Sequence, residues 1–196
     1  MNAISRLFCV ALVIAIAIGT GSPAEATTMI RLGLAELVST HRSVVVGEVL
    51  DVSSHWNTDG TFILTDVRVL VLDTLKGQPA NELSLTLMGG TVGDLTTLIV
   101  SNAELVPGKS YVLFLDQGEL PGGLRALTPR ALAQGVFELT ERNGLVQAVS
   151  QAHDLPLLPD AFGETTPPGG SQGLPFTHLI ETVRELSRAS MPARQR

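Results

Sequence analysis

Gly169-Gly170-Ser171-Gln172-Gly173 has the G-x-S-x-G spacing of a hydrolase nucleophile elbow, which presents a serine on a strained turn beside an oxyanion hole. That chemistry needs a buried strand before the serine and a helix directly after it. Here Thr165-Thr166-Pro167-Pro168 precedes and Leu174-Pro175 follows, so the spacing reads as a linker and no residue is assigned a catalytic role. The four histidines, His41, His55, His153 and His178, show neither an i, i+4 pair nor a cysteine partner, and zinc sites are recognised by such spacings. The densest local group is His55 with Asp51 and Asp59, which reads as a charged turn in water. Asn57-Thr58-Asp59-Gly60 matches a fragment of a calcium loop that lacks its other ligands and terminal glutamate. No glycine-rich phosphate cradle occurs. No metal and no cofactor is assigned.

Trp56, the only tryptophan, stands in the polar stretch Ser53 to Gly60. Exposed tryptophan is enriched at binding hot spots, while an aromatic at a strand end also packs over the end of a barrel. Both readings stay open. On the first, His55, Trp56, Asn57 and Asp59 form a recognition tip.

The elements that must position this tip follow from composition and pattern. The chain has 196 residues, 44% of them hydrophobic and 16% charged, and a formal net charge of −6. That is enough apolar surface for one packed domain. Only two lysines, Lys76 and Lys109, occur, and the acidic balance excludes the clustered positive charge that nucleic-acid binding requires. At the N-terminus, Arg6 precedes the apolar run Leu7 to Ile18, and Ala24-Glu25-Ala26 supplies an A-x-A cleavage site. This is a secretory signal peptide pattern over residues 1–26. The run would reach about 18 Å as a helix against a hydrocarbon core of about 30 Å, so no transmembrane anchor is expected. Cleavage near Ala26 would expose Thr27 as the new amino terminus, remove Cys9, the only cysteine, and place the chain in the periplasm or outside the cell. Cys9 lies too near the start of the run to suit a lipidation site.

Residues 27–150 read as β structure. Ser43 to Val52 is rich in β-branched residues around Gly47, which suggests a bulge. Phe62 to Leu75 alternates with a period of two, and Asp59-Gly60 turns between them. Leu83, Leu85 and Leu87 alternate with polar residues in a third strand, and Ser110 to Leu115 reads as a central strand covered on both faces. Leu124 to Leu127 is a further strand. Asn143-Gly144 predicts a hairpin between Val136–Thr140 and Leu145–Val149. Val45, Val49, Ile63, Val67, Val69, Leu83, Leu85, Val112 and Phe114 are expected in one core. A short helix, Leu34 to Thr40, precedes the first strand. The segment 151–176 is rich in proline and glycine and reads as a linker or surface loop, followed by an amphipathic helix over 177–190 with Thr177 as its N-cap. The fold class expected is mainly β: a small OB-like, partly closed β-barrel with a short N-terminal helix and a C-terminal amphipathic helix.

Four stretches, Leu37 to Trp56, Phe62 to Gly77, Leu83 to Gly90 and Val106 to Leu115, taken in order, resemble the OB-fold-like domain of the tissue inhibitor of metalloproteinases and netrin-module superfamily. They resemble more closely a group of exported bacterial proteins of uncharacterised function with the same layout. The resemblance covers under half of the chain and rests on turns and core positions. It implies loop-mediated protein binding, with the amino terminus at Thr27 and the tip from Ser53 to Gly60 sharing one edge. In the inhibitors an N-terminal cysteine ligates the protease zinc, and the mature chain here has no cysteine to do so. The function expected is therefore a non-catalytic exported module for a protein or peptide partner, a secreted metalloprotease being the narrower version. A hydrolase site assembled only in the fold and a small-ligand site at the barrel mouth are the alternatives.

Overall fold

A computed structural model describes residues 29–129 and 131–190. The leader at 1–26 and Thr27 lie outside the described residues. The elements run β1 (Met29–Ile30), α1 (Leu34–Thr40), β2 (Ser43–Trp56), β3 (Ile63–Lys76), β4 (Glu82–Met88), β5 (Gly90–Val92) and β6 (Leu95–Thr97). They continue through β7 (Ser110–Leu120), β8 (Leu124–Thr128), β9 (Val136–Arg142), β10 (Leu145–Ser150), β11 (Leu157–Leu158), β12 (Leu174–Pro175) and α2 (Phe176–Ala189). The protein is mainly β with two helices, as its sequence leads one to expect.

The main sheet has the order β12-β10-β9-β7-β2-β3-β4, with β8 paired to the outer half of β7. The β2–β3 hairpin dominates it. Its ladder runs from Val44↔Lys76 to Trp56↔Ile63, and a register shift falls between Val46 and Gly47, at the expected bulge. A side chain at Gly47 would meet Val69 Cγ1 at 2.4 Å, which explains the glycine: the two strands come too close there for a Cβ. Asn143 and Gly144 both take positive φ (53° and 76°), the geometry that an Asn-Gly hairpin turn demands. No sheet among the described residues closes on itself. β8 lies beside β4, but no backbone ladder joins them.

The expected single core divides into two layers, because both faces of the sheet are covered. Val45, Val49, Val67, Val69 and Leu85 pack with Tyr111, Leu113 and Leu115 on one face, and Leu83 lies partly buried against them. Val112 and Phe114 belong to the other layer, with Val44, Val46 and Phe137, beneath Leu37 and Val38 of α1 and Leu179 and Val183 of α2. Successive residues of β7 point to opposite faces, so Val112 and Phe114 cannot share a layer with Leu113. Ile63 is fully buried but belongs to neither layer. The register itself holds: Val67 and Val69 are buried, while Asp66 and Arg68 face out.

Two further details differ from expectation. β7 continues past Leu115 to Leu120, because its polar outer half finds a partner in β8 (Asp116↔Thr128 to Leu120↔Leu124). Helix α2 begins at Phe176 with Pro175 at the N-cap position, so Thr177 lies within the first turn and caps nothing. The chain enters the helix straight from β12, which is paired to Ala148 and Gln147, and this leaves no loop residue to act as a cap.

The proline-rich stretch 153–175 runs largely over the surface, but it is tied down at defined points. β11 pairs in parallel with β1. Arg31, only 8% exposed, reaches Asp160 and the Thr166 carbonyl, and its guanidinium also lies 2.8 Å from Glu164. Asp160 in turn accepts from the amides of Phe162 and Glu164, closing a local turn around its carboxylate.

Candidate functional site

The tip of the β2–β3 hairpin is built by Asn57. Its Oδ1 accepts from the amides of Thr61 (2.9 Å) and Phe62 (3.1 Å), and its own amide donates to the Phe62 carbonyl. Asn57 is 6% exposed. The residue expected to face a partner is thus turned inward and holds the loop's shape. The β7–β8 turn packs on it: a side chain at Gly122 would come within 2.9 Å of Asn57 Nδ2. Asp59 is exposed at the apex. Trp56, the last residue of β2, is 39% exposed, so part of its side chain faces solvent and the rest is covered.

His55 does not gather with Asp51 and Asp59. Its Nε2 lies 3.0 Å from Asp66 Oδ2 on β3, and its Nδ1 lies 2.9 Å from the Trp56 carbonyl. Asp66 Oδ1 accepts from Thr86 Oγ1 on β4 at 2.7 Å, so the three strands are linked in a row. Both ring nitrogens face acceptors, and only the imidazolium can donate to both. The Trp56 carbonyl raises the His55 pKa above its ordinary value, burial opposes it, and the charge and hydrogen bond of Asp66 add to the rise. Asp51 pairs instead with Arg68, at 4.0 Å.

Beside the tip lies the β5–β6 hairpin, which is not among the strands expected from the sequence. The Gly89 amide donates to the Ile63 carbonyl at 2.8 Å, next to Trp56 in the ladder. Gly90 (φ 127°) lies against Ser54 and Thr65, whose hydroxyls are 2.8 Å apart, and a Cβ there would meet Thr65 Oγ1 at 2.2 Å. This close approach fixes the hairpin to the root of the tip. It carries Leu95 (60% exposed), and the loop after it carries Leu98 (86%) and Val100 (87%). The local signal was available: Gly93-Asp94 between Val92 and Leu95 is a two-residue hairpin turn.

The same loop leads toward the amino terminus. The Ser101 carbonyl accepts from the Ala133 amide, in the 3-10 turn Leu132–Gly135. The neighbouring Gln134 holds β1 from both sides, its Oε1 accepting from the Leu32 amide and its Nε2 donating to the Ile30 carbonyl. Tip, β5–β6 loop and first strand are thus joined through successive contacts.

Other expected features separate. Ser171 is exposed in a short 3-10 turn, with a strand after it rather than before it, and among the described residues no hydrogen bond joins its hydroxyl to His153 or His178. His153 instead faces the Ser150 carbonyl and Asp154. Among the described residues, no three of His, Cys, Asp and Glu gather closely enough to hold a metal ion. No helix among them is long and apolar enough to cross a membrane. In comparisons with known proteins, the chain matches no protein-family model and no curated protein.

Proposed function

We propose that this protein is an exported binding module, an OB-like and partly closed barrel that recognises a protein or peptide through one end. The observation that carries this reading is the set of outward apolar side chains on adjoining segments there: Trp56 at the tip, and Leu95, Leu98 and Val100 on and after the β5–β6 hairpin. Large aliphatic residues at such exposure are costly in water when they lie close together, and they mark surfaces that a partner covers. The rigid base supports recognition, since Asn57 and the Gly90 contact hold both loops before any partner arrives. The contacts through Gln134 and Ala133 tie β1 to the loop after the β5–β6 hairpin, which supports the use of one edge that the superfamily resemblance implies. A secreted metalloprotease is the narrower partner.

A groove of about 550 Å³ between Val52, Leu87, Met88, Ile99, Asn102 and Leu105 favours a second reading, a small apolar ligand at the barrel mouth. The two are separated by Trp56→Ala and a Leu98→Ser, Val100→Ser double variant, assayed for capture of secreted proteases and for thermal unfolding. Recognition through the edge predicts that capture falls at least about tenfold with the melting temperature unchanged. Undiminished capture by both variants would defeat it.

A further inference from the structure

Positive charge in this acidic chain gathers beside the end of the β2–β3 hairpin opposite its tip. Where α1 ends, β3 ends and the last turns of α2 pass by, Arg42, Lys76, Arg184 and Arg188 line a single pocket of about 590 Å³, and no carboxylate lines it. Some of this charge has a structural use. Lys76 donates to the carbonyls of Val38 and His41 at the end of α1, Arg184 meets Asp73 at 2.6 Å, and Arg42 stands 3.4 Å from Asp116. These partners do not use it up. Four cations face two carboxylates and two helix C-termini, each C-terminus equivalent to about half a negative charge, so positive charge remains. Arg188 has no hydrogen-bond or ion-pair partner among the described residues.

The donors available to a ligand are equally one-sided. The hydroxyls of Ser39, Ser187 and Ser190, which also line the pocket, already donate to the carbonyls of Glu36, Val183 and Leu186. What is left, besides the Thr74 hydroxyl, is the unused part of each guanidinium fork and the third proton of the Lys76 ammonium, so donors dominate. A ligand that fits must bring several acceptors and negative charge, which is the description of a tetrahedral oxyanion. The pocket is larger than such a group alone, and Leu75 and the aliphatic stems of the arginines give it apolar walls. We propose that this pocket binds a small organic molecule carrying a phosphate or sulfate group, with the oxyanion held by Lys76 and the three arginines. Burial pushes the Lys76 pKa down against the opposing pull of the Asp116 carboxylate, and an anion seated beside the ammonium would offset that burial further.

The test is calorimetric titration of the purified protein with pyrophosphate, inorganic phosphate, sulfate and glucose 6-phosphate, with glucose and equal ionic strength of sodium chloride as controls. Saturable binding of pyrophosphate or glucose 6-phosphate with Kd below about 1 mM is expected, with no heat from glucose. Arg188→Glu, at an exposed guanidinium that bonds to nothing among the described residues, should weaken binding at least about tenfold, with only the small fall in melting temperature that an acid in the last turn of a helix brings. Arg142→Glu, on the distant β9–β10 hairpin, should leave it unchanged. Absence of saturable binding, or an equal loss in both variants, would overturn the site. Glucose 6-phosphate binding no tighter than inorganic phosphate would overturn the organic part of the ligand.

Discussion

His55 on β2 and Asp66 on β3 meet diagonally across the hairpin ladder, Nε2 to Oδ2 at 3.0 Å, while the other ring nitrogen of His55 faces the carbonyl of Trp56. The charge on one side chain is therefore coupled to the posture of the exposed tryptophan beside it. The His55 pKa is raised above its ordinary 6.5, so its contribution is fully present below that value and is lost as pH rises through the higher folded value. Proton NMR titration should find His55 above 6.5, and Asp66→Asn should bring it down. A wild-type midpoint at or below 6.5 would refute the pairing.

Asn57 supplies the shape of the tip and Trp56 part of its exposed surface, so their substitutions should separate. Asn57→Ala removes acceptors from two partly buried amides and is expected to cost about 1–3 kcal/mol. Denaturant unfolding measures this, with Trp56→Ala as the comparison. Equal losses from both would assign Trp56 to packing.

Gly90→Ala places a methyl group 2.2 Å from Thr65 Oγ1 and 2.4 Å from Ser54 Oγ, at a positive φ. The β5–β6 hairpin must lift away, at about 1–3 kcal/mol or more. Hydrogen exchange should show the amides of residues 90–97 losing protection before those of β2. Unchanged protection would mean that this contact does not hold the hairpin.

Val67 is fully buried in the first layer, and Val67→Asp would place a carboxylate there with no partner. A loss of about 3 kcal/mol or more is expected by chemical denaturation. Thermal stability close to wild type would show that the layer can open to water.

Arg31→Ala should free the stretch 153–175, since it removes the group that joins Asp160, Glu164 and the Thr166 carbonyl. Limited proteolysis should then cut within 159–170 well before the β2–β3 hairpin, with little change in far-UV circular dichroism. Cleavage no faster than in wild type would place the anchorage elsewhere.

The long hairpin was readable because its signals are local: β-branched alternation, Gly47 at the bulge, Asp59-Gly60 at the turn. What escaped depends on what covers each face. Val44, Val45 and Val46 are all buried, and alternation cannot tell which layer each one joins when both faces are covered. The outer half of β7 lies beyond the expected strand because Asp116, Gln117, Gly118 and Glu119 are poor strand formers until β8 pairs with them. At the tip, residue types mark a polar turn, but the inward Asn57 and the outward Trp56 are told apart only by burial. His55 with Asp66 follows from ladder register, which sequence proximity to Asp51 and Asp59 concealed. Of the pocket cations, only Arg184 and Arg188 carry a local signal, their spacing of four on one helix.

The parallel pairing of β1 with β11 joins Met29 to Leu157, and Arg31 waits for Asp160. During synthesis β1 can meet Gln134 first, but its strand partner β11 arrives only when about four-fifths of the chain exists, and the part of the second layer's cover that α2 supplies comes last. Contacts so distant along the chain form slowly, so the first strand stays extended and accessible while the rest is made. On the proposal that residues 1–26 are an export leader, such lateness would keep the strand that follows it threadable until translocation has begun.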